Sequence, residues 1–318
     1  MVSTRRAAAA GIAFSKLSGD EQGIILGQLR NTLEPCLAMY FSSASKELRA
    51  LLPAAAQQQL RSDYEDAKAL CLKVGMPSCK ELSEATRVEW KYKGLSTADL
   101  ATLAKLGSVL PALRVLSLHD DWRSARFDGV KCLADGLIAG SLPRLGFLEI
   151  GSMRMGDAGA SALAAALDRG AMPRLESLTL TNNAISDSAL AALAPALRRR
   201  PALEYLCLIC NPFGDEGVAA LVAPPLPTGG LKKLTYLELM NTHVTDAGCA
   251  TLAAALDSGA LPALRTLDVD GSPSSYEALD AVEAAIARSQ ARAPRAAPSC
   301  LVARVFCEKT GRMTYVNV

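Results

Sequence analysis

The sequence predicts an α/β fold: a right-handed solenoid with a parallel β-sheet on its concave side, α-helices on its convex side and an all-helical N-terminal cap. Two observations carry this. An L-x-x-L-x-L strand pattern starts at Leu113, Leu145, Leu175, Leu203, Leu234 and Leu264, at intervals of 32, 30, 28, 31 and 30 residues. Each strand half is followed by a helical half, as in Leu190, Leu193 and Leu197 after Leu175, Leu178 and Leu180. One such unit cannot bury its apolar face alone, so it must stack on copies of itself. Helices are wider than the roughly 4.8 Å strand spacing, which bends the stack into an arc with the strands inside.

Composition narrows the function classes. The 318 residues are 50% hydrophobic and 21% charged, with a net charge of +2. No global field favours nucleic acid or an acidic membrane, and no apolar run approaches the roughly 18 residues of a membrane span. The nine cysteines fall at irregular spacing, several inside the repeats. That pattern predicts reduced thiols in a cytoplasmic or nuclear protein rather than a disulfide framework.

In chain order, residues 1–17 carry Arg5, Arg6 and an alanine run with no acid before Asp20. A plain disordered start and a transit peptide both remain open readings. Residues 18–78 read as a helical cap, with a purely helical pattern from Ser18 to Val74 that Gly75-Met76-Pro77-Ser78 breaks. Ser18 and Glu21 form a capping-box sequence; Ile25, Leu26, Leu29 and Leu33 line one face; and Pro53 opens a helix carrying Leu60, Tyr64, Ala67, Leu70 and Val74. Leu17, Ile25, Leu26 and Leu29, with Ser45-Lys46-Glu47-Leu48-Arg49-Ala50-Leu51 after them, resemble an F-box. Ser18 stands where that family has Pro, Leu48 where it has Trp, and the alignment needs an insertion near Thr32. The resemblance implies that Leu17, Ile25, Leu26 and Leu29 bind a Skp-type adaptor. A plain amphipathic cap on the open end of the solenoid uses the same residue types.

Repeats occupy residues 85–271, about seven turns. The first is weak: Val88 and Trp90 take strand positions, Leu95 the turn, and Leu100, Leu103 and Leu106 the helix. The turn recurs as Met155-Gly156-Asp157-Ala158-Gly159, Phe213-Gly214-Asp215-Glu216-Gly217 and Val244-Thr245-Asp246-Ala247-Gly248. These units resemble ribonuclease-inhibitor-type leucine-rich repeats. Aspartate there is expected to cap its following helix, and the glycine two places on to allow close packing of turns. The resemblance implies that Asn183 and Asn211 hydrogen-bond neighbouring loop backbone. Asp121, Met153 and Thr242 replace that asparagine elsewhere, which predicts an incomplete polar ladder and looser turns.

Two irregularities interrupt the array: a loop around Trp122, and the Pro224–Gly230 run that shortens a helix. Residues 272–290 read as a capping helix. Residues 291–318 read as a linker and a short β tail.

Nothing in the sequence predicts catalysis, a metal or a cofactor. His119 and His243 lie on different repeats. Cys207-Leu-Ile-Cys210 sits on a strand and its turn, not at the helix start that activates a redox thiol. The recurring aspartates belong to the scaffold.

Binding of a protein is the better prospect. Alternation places Phe147, Tyr205 and Tyr236 in one concave column, Glu149, Glu238 and Asp268 in the next, and Ile209, Met240 and Asp270 in a third. Aromatic and methionine anchors rimmed by carboxylates predict an interface for a partner presenting basic residues. With the F-box resemblance, the expected role is substrate receptor of a Skp-cullin-F-box ubiquitin ligase. The repeat type equally admits a small-GTPase regulator similar to the Ran GTPase-activating proteins, whose functional residues have no counterpart that can be placed here.

Overall fold

The computed structural model describes residues 31–34, 54–121, 128–223 and 230–292, together with the backbone of 302–307 and 312–317. The helical N-terminal region is described from α1 (Ala54–Val74) and α2 (Cys79–Glu84) onward. Seven repeats then alternate strand and helix: β1 (Arg87–Lys91), α3 (Thr97–Leu106), β2 (Val115–His119), α4 (Gly129–Gly136), β3 (Phe147–Gly151) and α5 (Gly156–Asp168). They continue as β4 (Ser177–Thr179), α6 (Asp187–Arg198), β5 (Tyr205–Cys207), α7 (Asp215–Val222), β6 (Tyr236–Glu238), α8 (Asp246–Asp257), β7 (Thr266–Asp268) and α9 (Tyr276–Arg292). Strands β1 to β7 form one parallel sheet in sequence order, the expected leucine-rich repeat solenoid. A separate antiparallel hairpin joins β8 (Val302–Cys307) to β9 (Arg312–Asn317).

The leucine pattern sets the register. Val88, Leu116, Leu148, Leu178, Leu206, Leu237 and Leu267 pair in one unbroken row across the sheet. All but Leu267 are buried beneath the helices. Stacking pitch is fixed by the backbone just before each strand. The carbonyls of Arg114, Gly146, Glu176, Glu204 and Thr235 each accept two amides from the next repeat.

Past β1, β3, β4, β5 and β6 the chain turns through a non-glycine residue in the left-handed region. Tyr92, Ser152, Asn182, Cys210 and Asn241 have φ of 56, 54, 56, 57 and 54°. Such a conformation costs about 1–2 kcal/mol for a non-glycine residue. The site is held because each of these amides donates to a carbonyl of the following repeat, His119, Thr181, Ile209, Met240 and Asp270 in turn.

Beside this turn runs a polar ladder. Asn211 is buried; its Oδ1 accepts the Asn183 and Ile185 amides, and its Nδ2 donates to the Leu180, Leu208 and Ile209 carbonyls. Asn183 does the same one repeat earlier, toward the Met153 amide and the Ile150 carbonyl. The ladder extends further than the asparagines imply. Thr242 donates to the Leu239 carbonyl and shares a hydrogen bond with Ser272, which accepts the Thr242 amide. In the second repeat Asp120, not Asp121, takes the role and accepts the Leu95 amide. Only at Met153, buried and apolar, does the side-chain ladder stop among the described repeats from β2 to β7.

The recurring aspartates correct a second expectation. They do not cap their own helices: Ser186 and Thr245 do so for α6 and α8. Each aspartate instead reaches the helix start of the following repeat. Asp157 accepts Ser186 Oγ and Ser188 Oγ; Asp187 accepts the Gly214 and Gly217 amides; Asp215 accepts the Thr245 amide and hydroxyl; Asp246 accepts the Ser275 amide and hydroxyl. A carboxylate at a helix N-terminus satisfies orphan amides and complements the helix dipole, so each one locks two repeats together. This also explains the glycine. A Cβ at Gly217 would collide with the Asp187 carboxylate, and one at Gly248 with that of Asp215.

At the N-terminal end, Ala67, Leu70, Cys71 and Val74 bury one face of α1. Ion pairs Lys73–Asp99 at 2.5 Å and Lys105–Asp63 at 2.6 Å tie α1 to α3. At the other end α9 packs on α8 through Val282, Ala285 and Ile286.

Candidate functional site

The described helices cover one face of the sheet, so the side chains between the buried leucines populate the other face. Strand register places Val115, Phe147, Ser177, Tyr205, Tyr236 and Thr266 side by side in one row. Ser117, Glu149, Thr179, Cys207, Glu238 and Asp268 make the next. His119 and Gly151 start a third, continued by Thr181, Ile209, Met240 and Asp270 through the turn hydrogen bonds given above.

Strands β5 to β7 therefore bring together seven of the nine sequence-predicted contact residues: Tyr205, Ile209, Tyr236, Glu238, Met240, Asp268 and Asp270. Tyr205 and Tyr236 rings lie 6.3 Å apart at 45°. Ile209 and Met240 sit half-buried four residues after the tyrosines, in the turns that follow β5 and β6, at most about 13 Å away at strand rise. The patch is thus an aromatic flank and an aliphatic flank with a polar strip between them, and Asp270 stands exposed at the edge.

Two placements, those of Glu238 and Phe147, differ from expectation, and Cys207 stays a scaffold residue as expected. Glu238 is not a rim charge: it is only 4% exposed, and its Oε2 accepts the Tyr205 hydroxyl at 2.8 Å. Tyr205 and Glu238 form one unit in which the carboxylate fixes the ring. Phe147, 37% exposed, is separated from Tyr205 by Ser177 on β4, about 10 Å at the usual strand spacing. It stands instead on β3 two residues before Glu149, which accepts Ser117 Oγ at 2.5 Å. Cys207, between the flanks, is buried; burial, foremost, pushes its thiol up to about 12, against the hydrogen bonds that it makes toward Thr181 and the Ile209 backbone. It is a packing residue, not a nucleophile.

One exposed aromatic was not legible. Tyr92 is 58% exposed at a turn position held by serine, asparagine or cysteine in other repeats, and meets the His119 ring edge-on at 5.2 Å. The His119 ring lies against Gly151, where any Cβ would overlap it. A bulky residue at a recurring left-handed turn was the available signal. The adaptor-binding candidates Leu17, Ile25, Leu26 and Leu29 lie outside the described residues, as do the segments 122–127 and 224–229.

His119 ends β2 and His243 lies in the exposed turn after β6, about 19 Å apart across the sheet at strand spacing, so they cannot address one atom. Among the described residues no group of His, Cys, Asp and Glu could hold a metal ion, and no helix is long and apolar enough to cross a membrane.

The fold is that of a leucine-rich repeat solenoid. A family model described as leucine-rich repeat matches residues 172–194 and 230–253. The chain is similar to the ribonuclease inhibitor of Sus scrofa, 41% identical over 78 residues, which are 24% of this chain and 16% of that protein. The chain therefore matches about a sixth of that relative's length. Among solved structures it is similar to the leiomodin-1 actin-binding site 2, at 14% identity and a TM-score of 0.31, over 72% of this chain and 90% of that one.

Proposed function

We propose that the protein is a non-catalytic interaction module whose concave face binds a protein partner through the β5–β7 patch. One observation carries the reading: aromatic and aliphatic side chains stand half-buried on the sheet face opposite the described helices, beside the carboxylates of Asp268 and Asp270. Scaffold leucines explain none of these residues. The patch spans at most about 13 Å along the strand direction and about 10 Å across three strands, far below the roughly 800 Å² per partner of a standard interface. It therefore has the size of an energetic centre, and flanking repeats supply the rim. The partner presents a basic group toward Asp268 and Asp270 and an apolar group over Tyr205 and Tyr236.

Substitution tests this. Tyr236→Ala removes an anchor without disturbing the Tyr205–Glu238 unit, and weakens partner affinity about 30-fold, the scale of a 2 kcal/mol hot spot. Unchanged affinity moves the site elsewhere. The substrate-receptor role extends this reading through the F-box resemblance of Leu17, Ile25, Leu26 and Leu29. Co-purification of a Skp-type adaptor with the full chain, lost in Ile25→Asp/Leu26→Asp, supports it; absence of the adaptor from the unaltered chain removes it.

A further inference from the structure

The last strand of the sheet is less finished than the others. Leu267 is only half-buried where its row partners are buried, and Asp268 and Thr266 are more exposed than Glu238 and Tyr236. The Thr266 amide and the Asp268 carbonyl face β6. By alternation, the Leu267 and Val269 amides point outward from the edge of β7 that no other described strand pairs. In every other repeat from β2 to β6, the carbonyl before the strand receives two backbone amides from the next repeat. Here the Arg265 carbonyl receives the Gln290 side chain, and the Asp270 amide folds back to Asp268 Oδ1.

The sequence beyond α9 has the form of what is missing. Val302-x-x-Val305-x-Cys307 repeats the apolar spacing of Leu264-x-x-Leu267-x-Val269. Residues 293–301 separate α9 from β8, close to the connections 169–176, 199–204 and 258–265 that join helix to strand elsewhere. Nine residues can reach roughly 30 Å. Gln290 places the end of α9 beside the start of β7, so a strand after that connection enters parallel to β7. Charge agrees as well. Asp268, Asp270, Glu277, Asp280 and Glu283 lie at this end, where Arg288 and Arg292 are engaged by Asp257. Residues 293–318 carry Arg295, Arg304, Lys309 and Arg312 against a single acid, Glu308.

We propose that Val302–Cys307 adds to the outer edge of β7 as an eighth parallel strand, with β9 antiparallel beyond it. The chain's own C-terminal hairpin then covers the open end of the solenoid. Pairing of β8 with β9 uses one edge of β8; β7 takes the other. The inference does not depend on the partner-binding reading.

The experiment is residue-resolved amide exchange on the full chain. Leu267 and Val269 amides are expected to exchange slowly, within about tenfold of Leu237 and Leu239. Val305→Pro, which removes a strand donor, accelerates Leu267 and Val269 at least tenfold and leaves Leu237 and Leu239 unchanged. Val302→Asp does the same without altering backbone chemistry. Fast exchange at both amides in the unaltered chain, or no response to either substitution, overturns the proposal. So does protection that rises with protein concentration alongside dimer formation, because a second copy would then cover the edge.

Discussion

Replacing Asn211 by alanine tests the account of how repeats are held in register. Its side chain is 1% exposed and serves five backbone groups in two repeats. Alanine leaves the Asn183 and Ile185 amides with no acceptor, and water cannot reach the site without opening the turn. An orphaned buried donor costs about 1–3 kcal/mol, and the carbonyls lose less because each has a second lone pair or another partner. The expected loss is about 3–5 kcal/mol, large against the 5–15 kcal/mol stability of a typical domain. Urea unfolding followed by far-UV circular dichroism reads it, with Thr251→Ala as control, since that hydroxyl makes one exposed bond to Ala247. The control should stay within about 0.5 kcal/mol. A repeat array can lose cooperativity, so a broadened transition with a lower midpoint also counts as the predicted effect. An Asn211→Ala chain within about 1 kcal/mol of the parent, with an unchanged slope, would refute the ladder argument.

Three further outcomes follow from named contacts. Asp157 is pulled upward by burial, but the Ser188 and Ser186 hydrogen bonds outweigh this and hold its pKa below the ordinary aspartate value. Its contribution is therefore present above the unfolded-state pKa of about 4 and disappears as pH falls through the lower folded value. Asp157→Asn should lower stability near pH 6, and its difference from the parent should shrink in urea titrations taken toward pH 2.5. Tyr205→Phe removes the hydroxyl from buried Glu238 and should cost about 1–2 kcal/mol, read by the same unfolding assay, while retaining most of the ring's contribution to binding. Thiol labelling at pH 7.5 should modify exposed Cys210 rapidly; Cys207 and Cys71, both raised to about 12 chiefly by burial, should react only on unfolding. Mass spectrometry of timed samples distinguishes these sites.

The repeats were legible because their leucines obey a spacing that only stacking satisfies. Strand register follows from it, since a one-residue slip would turn Leu178 or Leu206 out of the core. The polar connections were harder to read. An aspartate before a helix has the same sequence signature whether it caps its own helix or the next one. The pairing of Asp157 with Ser186, or Asp215 with Thr245, becomes visible only when neighbouring turns are superposed. Glu238 was misplaced for a related reason. Alternation gives the face of a residue but not its burial, and the Tyr205 hydroxyl lies one strand away rather than nearby in sequence. Asp120 displaced Asp121 because the turn after β2 lacks, among its described residues, the left-handed residue of its neighbours, and the side chain that reaches Leu95 lies seven places after Leu113, not the eight that separate Asn183 from Leu175.

The most direct test of the central claim compares two surfaces of one folded protein. Proteins retained by the immobilised full chain are quantified against Tyr205→Ala/Tyr236→Ala and against Ala158→Arg/Ala254→Arg, which alters exposed positions on the helix side. All three chains are first checked for equal unfolding midpoints. The account predicts a partner that survives the helix-side change, is lost with the tyrosines, and dissociates as salt rises because Asp268 and Asp270 contribute. Retention by the tyrosine variant, with loss on the helix side, would contradict it.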